Sequence, residues 1–369
     1  MKLRLPDTAA RMRRRLCRAL AVLALPALLA AALVVPGDSL AAASDAAAGA
    51  RQPLRATLLL EHEQPSPWND LLVAGLARAG ADFGMETAVV YAPKGTDQAA
   101  ALRKAAAASD LVLVASDGLH EALRDNAANF RRTMFGCIDA GIRAPNIMSV
   151  TFADEQGAFL AGAAAALLTR GAHLPGINDA ATIGWLSGED TPAMRSLFSG
   201  YAEGAQLAAP EVRVVQAVVG SFTDGPTAAT KTDTLLGAGA DVVALAAGAG
   251  NPEALARLKA ADAYLVGLDT DQGPAYPGHV LLSIVKRADR AVHEIAASAV
   301  SPRFRGKEIV VYDLANGGVD VAGLDAFRAA GGKAVPEGVG RRVGELRREL
   351  ANGSIRLHSL RARTLCDCL

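Results

Sequence analysis

The stretch Ala56–Tyr91, ATLLLEHEQPSPWNDLLVAGLARAGADFGMETAVVY, sets the architecture. The five-residue run Ala56–Leu60, apolar but for Thr57, is long enough for a buried strand and too short for a helix. After a polar loop broken by Pro65 and Pro67, a 3.6-residue apolar period begins and predicts a helix over about Asn69–Phe83. Thr87–Tyr91 then returns to β-branched and aromatic residues, so the stretch reads strand, helix, strand.

The same alternation continues outward. Helices are expected at Asp97–Ala108, about Glu121–Phe130 and Gln156–Leu168, interleaved with strands at Leu111–Ala115, Thr133–Ile138 and Ile147–Thr151. A second series places strands at Thr182–Leu186, Val212–Val219, Asp241–Ala246 and Tyr264–Leu268. Helices fall between them at Pro192–Leu207, Pro226–Leu236 and Pro252–Ala260. Repeated βα units build parallel sheets, and two series in tandem predict an α/β chain of two Rossmann-like lobes rather than a single barrel. Strand-like runs recur at Val280–Val285 and Ile309–Tyr312. A helix over Glu337–Ala351 ends at Asn352-Gly353, and a last strand is expected at Ile355–His358.

At 369 residues, 51% hydrophobic and 21% charged, the chain is long enough for two lobes with separate cores. Its balanced formal charge hides an asymmetry: residues 1–43 carry Lys2, Arg4, Arg11, Arg13, Arg14, Arg15 and Arg18 against Asp7 and Asp38. That basic start, the apolar run Ala19–Val35 and the small residues Ala41-Ala42-Ala43 read as a secretory signal over 1–43. A flexible lead-in is expected over 44–53. Cys17 precedes the apolar run, so no lipid-attachment cysteine follows it, and the mature protein is expected to be exported and soluble. Without its leader the chain is acidic and has no basic patch suited to nucleic acid.

The remaining cysteines, Cys137, Cys366 and Cys368, form neither a disulfide framework nor a zinc pattern. Cys137 sits in an apolar run and reads as a buried small residue. The histidines are scattered, no nucleophile elbow occurs, and Gly248 with Gly250 falls short of a dinucleotide fingerprint, so neither a metal nor a cofactor is expected.

In open α/β sheets ligands bind beyond the carboxyl ends of the strands. Asp269 follows Tyr264–Leu268 and Lys286 follows Val280–Val285, which puts an opposite-charge pair where a small polar ligand would sit. The same residues also read as a turn acid and a solvated helix-start cation. Phe222, between Ser221 and Thr223-Asp224, either tucks into the core or walls a flat ligand, and Trp68 in its proline-stiffened loop has the same choice.

An ordered set of segments carries a resemblance. Asp154-Glu155-Gln156-Gly157-Ala158-Phe159-Leu160-Ala161-Gly162, Ile183–Gly188, Phe198–Gly204, Gly220-Ser221-Phe222-Thr223-Asp224, Gly267–Gln272 and Ser283–Arg287 resemble, in order, segments of the basic membrane protein family. That family comprises substrate-binding proteins of ABC transporters and includes bacterial purine nucleoside receptors. The resemblance implies a type I periplasmic-binding-protein fold, its lobes expected at 54–150 with 271–308 and at 151–270 with 309–369. It implies no catalysis, a nucleoside-like small-molecule ligand held by hinge closure, and an ABC permease of the inner membrane as partner. The same fold also serves other flat or sugar-like ligands and sensory proteins, and a nucleoside hydrolase is the enzymatic rival.

Carried over residue by residue, the resemblance assigns ligand binding to Trp68, Asn69, Asp139, Phe222, Gly248, Asp269 and Lys286. Trp68 and Phe222 would sandwich a base, while the acids and the lysine hold a ribose. The first loop departs from the pattern: Gln64 and Pro65 stand where nucleoside receptors carry carboxylates, and Glu61 or Glu63 are the acids left nearby.

Overall fold

The computed structural model describes residues 52–331 and 334–357. The leader over 1–43, nearly all of the lead-in, His358 and the cysteines Cys366 and Cys368 lie outside the described residues.

The first series forms β1 (Arg55–Leu60), α1 (Pro67–Phe83), β2 (Glu86–Tyr91), α2 (Gln98–Ala108), β3 (Leu111–Val114), α3 (Asp117–Asn126), β4 (Met134–Ile138) and β5 (Ile147–Phe152). The second forms α4 (Asp154–Gly171), β6 (Thr182–Ser187), α5 (Pro192–Ala208), β7 (Arg213–Val218), α6 (Gly225–Gly237), β8 (Ala240–Ala246), α7 (Asn251–Ala260), β9 (Tyr264–Asp269) and β10 (Val280–Lys286). After them come α8 (Ala288–Val300), β11 (Ile309–Tyr312), β12 (Val319–Ala322), α9 (Leu324–Gly331) and α10 (Gly338–Ala351).

Two six-stranded sheets result, ordered β11-β5-β4-β3-β1-β2 and β12-β10-β9-β8-β6-β7. Every pairing is parallel except that of β12 with β10. In each sheet the chain reverses its winding direction after the first two strands, which leaves a crevice at the carboxyl ends of β1 and β3, and of β6 and β8.

Helix starts follow their caps. Ser66 Oγ accepts from Asn69 N–H with Pro67 in the first turn, and Thr191 accepts from Met194 N–H with Pro192 in the first turn. Asp224 accepts from Thr227 N–H ahead of Pro226, so this acid of the second-lobe loop is spent on α6. The small-residue face of α4 packs against α5 at backbone distance: a Cβ on Gly162 would lie 1.9 Å from the Tyr201 carbonyl oxygen, and one on Gly204 1.9 Å from that of Phe159. The buried face of α4 and the fully buried Trp185 and Tyr201 anchor the core of the second lobe.

The chain passes between the sheets at Ala153, at Arg287 and over Asp313–Gly318. This corrects the expected division. Val280–Lys286 hydrogen-bonds to β9 in the second sheet, and Ile309–Tyr312 hydrogen-bonds to β5 in the first, the reverse of a cut at 271 and 309. The short connection from β9 into β10 brings β10 back parallel to β9 in the same sheet, and α8 packs on α1, carrying the chain back to the first lobe before β11. The strand expected at Ile355–His358 is absent over its described part, Ile355–Leu357, which runs as bend and irregular chain. Among the described residues no helix is long and apolar enough to cross a membrane.

Candidate functional site

The carboxyl ends of the two sheets enclose a cavity of about 380 Å³. The first lobe supplies Glu61 and His62 after β1, Trp68 and Asn69 from the start of α1, Ser116 and His120 from the start of α3, and Asp139 after β4. The second supplies Glu189–Thr191 after β6, Phe222 after β7, Gly248 after β8, Asp269 at the end of β9 and Lys286 at the end of β10. All seven residues singled out from the sequence therefore line one cavity.

At its floor is a buried ammonium. Lys286 is 2% exposed, and its Nζ lies 2.9 Å from Asp154 Oδ1 and 3.3 Å from both oxygens of Asp139. The same Nζ sits 4.7 Å from the ring centroids of Trp68 and Phe152, a cation–π cradle in a water-poor setting. Asp269, on the strand beside Lys286, acts on it through space, while Asp139 and Asp154 make the close contacts. The pair read from the sequence is thus one arm of a four-member cluster, three carboxylates around one cation.

Asp139 and Asp269 both have left-handed backbone, with φ of 72° and 73°. Aspartate tolerates this conformation better than most residues, and at a strand end it turns the side chain off the strand's line. Burial pushes the Asp269 carboxyl up to about 7; Lys286 pulls it down, while Asp139 and Asp154 add to the rise.

Phe222 rests on a glycine platform. A Cβ on Gly188 would come 2.2 Å from Phe222 Cδ1, and one on Gly248 3.2 Å from Phe222 Cβ. Gly248 also has φ of 59°, which a side chain would strain. Asn251 holds this loop, its Oδ1 accepting from Ala247 N–H at 2.9 Å. Glycine here serves the packing of an aromatic ring rather than approach to a phosphate.

On the first lobe, Trp68 meets Phe152 edge-on with centroids 6.2 Å apart, and Phe152 meets Tyr312 in the same way. Asn69 is committed to shaping its loop, its Nδ2 donating to the His62 carbonyl at 3.1 Å. Asp271 stays out of the cavity and accepts from Gly273 N–H at 3.0 Å, so it is a turn residue. Of the two spare acids near the first loop, Glu61 lines the cavity, and the exposed Glu63 does not.

Sequence reasoning overlooked Asp154, which had served only to mark the resemblance; its place at the first residue of α4, just beyond a crossing, is a tertiary fact. It also passed over Lys94 and Glu189, whose Nζ and Oε2 lie 2.6 Å apart and join the loop after β2 to the loop after β6 at the cavity wall. Hydrogen bonding to Glu189 raises the pKa of Lys94. Among the described residues no group of three or more His, Cys, Asp or Glu is placed to hold a metal ion.

Known proteins resemble this chain in sequence and in fold. In sequence, the chain is 31% identical over 227 residues to the ABC transporter nucleoside-binding protein BmpA of Lactococcus lactis, covering 56% of this chain and 61% of that protein. It is 28% identical over 178 residues to basic membrane protein A of Borreliella afzelii, covering 47% and 51%. The alignments thus span about half to three fifths of the curated relatives. In structure, a solute-binding protein of an ABC transporter system from Aeropyrum pernix superposes with a TM-score of 0.73 at 24% identity, over 83% of this chain and 94% of that one. A transcriptional activator of the comK gene from Bacillus halodurans superposes with 0.65 at 15% identity, over 83% and 100%. At those identities the superpositions speak for the two-lobed periplasmic-binding-protein fold alone. The family model described as ABC transporter substrate-binding protein PnrA-like matches residues 64–333, most of the described chain and every residue of the cavity cluster, and this chain belongs to that family.

Proposed function

We propose that this substrate-binding protein captures a purine nucleoside between its lobes and delivers it to an ABC permease. The observation that supports this most is the division of labour within one cavity. Trp68 and Phe222 come from opposite lobes as flat apolar surfaces, while Asp139, Asp269 and Lys286 form a polar floor, with Asp154 buried behind the lysine. A ligand with a flat aromatic part and a polyhydroxyl part suits both. Stacking is worth about 1–3 kcal/mol per base, and ribose hydroxyls can donate to carboxylates and accept from the ammonium. After ordering costs, two stacks and a few charged hydrogen bonds amount to about −8 kcal/mol, a micromolar constant. A cavity of about 380 Å³ falls within the usual range for small-ligand sites, roughly 300–1,000 Å³.

Hinge closure supplies the mechanism. The lobes are joined by three crossings, so a ligand touching both favours the closed form by its differential affinity. Lys94 and Glu189 add a contact between lobes beside the ligand. Export to the compartment where an importer collects its cargo accords with the leader-like start of the chain.

For the hydrolase reading, which would draw on Asp269, Asp271 or a Ser/His pair, the cleft speaks less well: Asp271 is outside it, and Asp269 sits beside a lysine already held by Asp139 and Asp154. Native mass spectrometry of the purified protein, followed by calorimetry with guanosine, inosine, adenosine and a panel of sugars, tests the proposal. Nucleoside binding at micromolar affinity with the ligand recovered intact is expected. Heat from a sugar and none from any nucleoside would overturn it in favour of a sugar-like ligand, and release of free base would restore the hydrolase.

A further inference from the structure

With Gln64 and Pro65 in the first loop, the first-lobe wall takes its polar groups from elsewhere. His120, 4% exposed, lines the cavity from α3, and its Nε2 lies 2.8 Å from the Ile138 carbonyl oxygen. A carbonyl only accepts, so Nε2 carries the hydrogen, and Nδ1 of the neutral ring is a lone-pair acceptor. That buried Nδ1 has no hydrogen-bond partner among the described residues; Asp117 Oδ1, at 3.7 Å, is beyond reach. One turn earlier, Ser116 occupies the N-cap of α3 yet makes no capping bond, and its buried Oγ is also without a partner. N-cap serines ordinarily satisfy the helix amides, so a hydroxyl withheld from that duty and aimed at a cavity is unusual.

Glu61 completes the group. Gln98 Nε2 donates to its Oε1 at 3.1 Å and to the Ala92 carbonyl at 2.9 Å, fixing the carboxylate beside the start of α3. A Cβ on Gly118 would lie 2.1 Å from Gln98 Oε1 and 3.3 Å from Glu61 Oε1, so a glycine at that position makes room for both side chains. Buried polar atoms without partners are costly, and the two here, with the Glu61 carboxylate beside them, define what must approach. His120 Nδ1 and Glu61 accept, and the serine can play either part.

We propose that Glu61, Ser116 and His120 form the edge-reading wall of the cleft and select a ligand whose buried edge donates hydrogen bonds, as the ring N–H and amino group of a guanine do. This rests on the nucleoside reading and deepens it. Guanine would offer two adjacent donors to Glu61 and His120, with its carbonyl oxygen left for the Ser116 hydroxyl. Adenine places a ring lone pair where one acceptor waits, and inosine lacks the amino donor.

Calorimetry on the full chain with guanosine, inosine and adenosine tests this, for the wild type and for Glu61→Gln, His120→Gln and Glu63→Gln. Guanosine should bind the wild type at least roughly tenfold tighter than adenosine, because a site built for donors leaves its acceptors unpaired by the analogue. Glu61→Gln and His120→Gln should each reduce that ratio below about threefold with adenosine affinity nearly unchanged, an outcome that simple loss of folding would not produce. The glutamine at 120 keeps an amide donor for the Ile138 carbonyl, and Glu61→Gln stands by itself if that variant unfolds. Glu63→Gln, outside the cavity, should leave the ratio untouched. Nucleosides that bind with no guanosine preference, or a preference that survives both variants, would overturn the wall and leave the nucleoside reading intact. Failure of all three nucleosides to bind would overturn both.

Discussion

Nucleoside affinity should fall steeply on acidification through neutrality, and Asp269 should be the reason. Its carboxyl is pushed up to about 7 by burial, with Asp139 and Asp154 adding to the rise against the pull of Lys286. A sugar hydroxyl donates best to an ionised carboxylate, so the ligand binds the deprotonated cleft and protonation competes with it. With a pKa of about 7, the ionised fraction is roughly three quarters at about pH 7.5 and roughly 3% at about pH 5.5, so the affinity falls about 25-fold between them. The sign follows from linkage: the liganded state binds fewer protons than the free state, so affinity rises with pH until the carboxyl is fully ionised and is flat above that.

Titration calorimetry with guanosine across this range, in buffers of different ionisation heat, reads both the slope and the proton released. Asp269→Asn should weaken binding at about pH 7.5 by roughly ten- to hundredfold, the worth of one charge-assisted hydrogen bond, and should flatten the profile. That variant isolates what Asp269 contributes to the pH slope. A wild-type affinity that does not change between the two pH values, or a pH slope that persists in Asp269→Asn, would refute the assignment. In the ligand-free protein the sign is opposite. A carboxyl whose folded pKa is raised holds its proton in the native state and loses stability as pH climbs from about 4 towards 7, so Asp269→Asn should gain thermal stability relative to wild type over that interval.

Three other outcomes are expected. Lys286→Met removes the cation held against Asp139 and Asp154 and should cost about 3–5 kcal/mol in urea unfolding, with part regained by adding Asp154→Asn; a cost near zero would mean the cluster is solvated. Gly204→Ala drives a methyl into the Phe159 carbonyl across the α4–α5 contact and should lower stability by about 1–3 kcal/mol, measured by thermal or chemical unfolding, whereas tolerance would show that the helices can separate cheaply. Lys94→Ala breaks an ion pair whose lysine is largely exposed, so ligand affinity should change less than about fivefold and the wild-type dependence on salt should shrink; a larger loss would place Lys94 on the ligand.

Much of the fold was legible because its signals are local. Runs of buried apolar residues separated by capped amphipathic helices give β1 to β9 to within a residue or two, and Ser66-Pro67, Thr191-Pro192 and Asp224-Gly225-Pro226 announce helix starts by the chemistry of their own backbone. What escaped is set by distant partners. Val319–Ala322 is four residues long and only partly buried, and it becomes β12 because β10 offers it an antiparallel edge. The exchange of β10 and β11 between lobes has the same origin: a strand-like run does not state which sheet it will join. Ser116 and His120 were silent for a related reason, since an N-cap serine and a helical histidine look ordinary until their polar atoms are found buried and unmatched.

On the proposed function, the ion cluster and the crossings share residues, which would tie capture to closure. Asp154 is the first residue of α4, directly after the crossing at Ala153, and Lys286 is the last of β10, directly before the crossing at Arg287. Phe152, one wall of the ammonium's cradle, ends β5 on the other side of the first crossing. Asp139 reaches the same nitrogen from the first sheet. The ion cluster therefore clamps two of the three connections from both lobes, with more negative than positive charge at its centre. In the proposed mode, ligand hydroxyls would donate into this cluster where the chain turns, with the second-lobe Asp269 and Lys286 and the first-lobe Asp139 converging on them. A ligand able to satisfy the cluster thereby favours the closed arrangement, and one that only stacks between Trp68 and Phe222 has no such hold on the hinge.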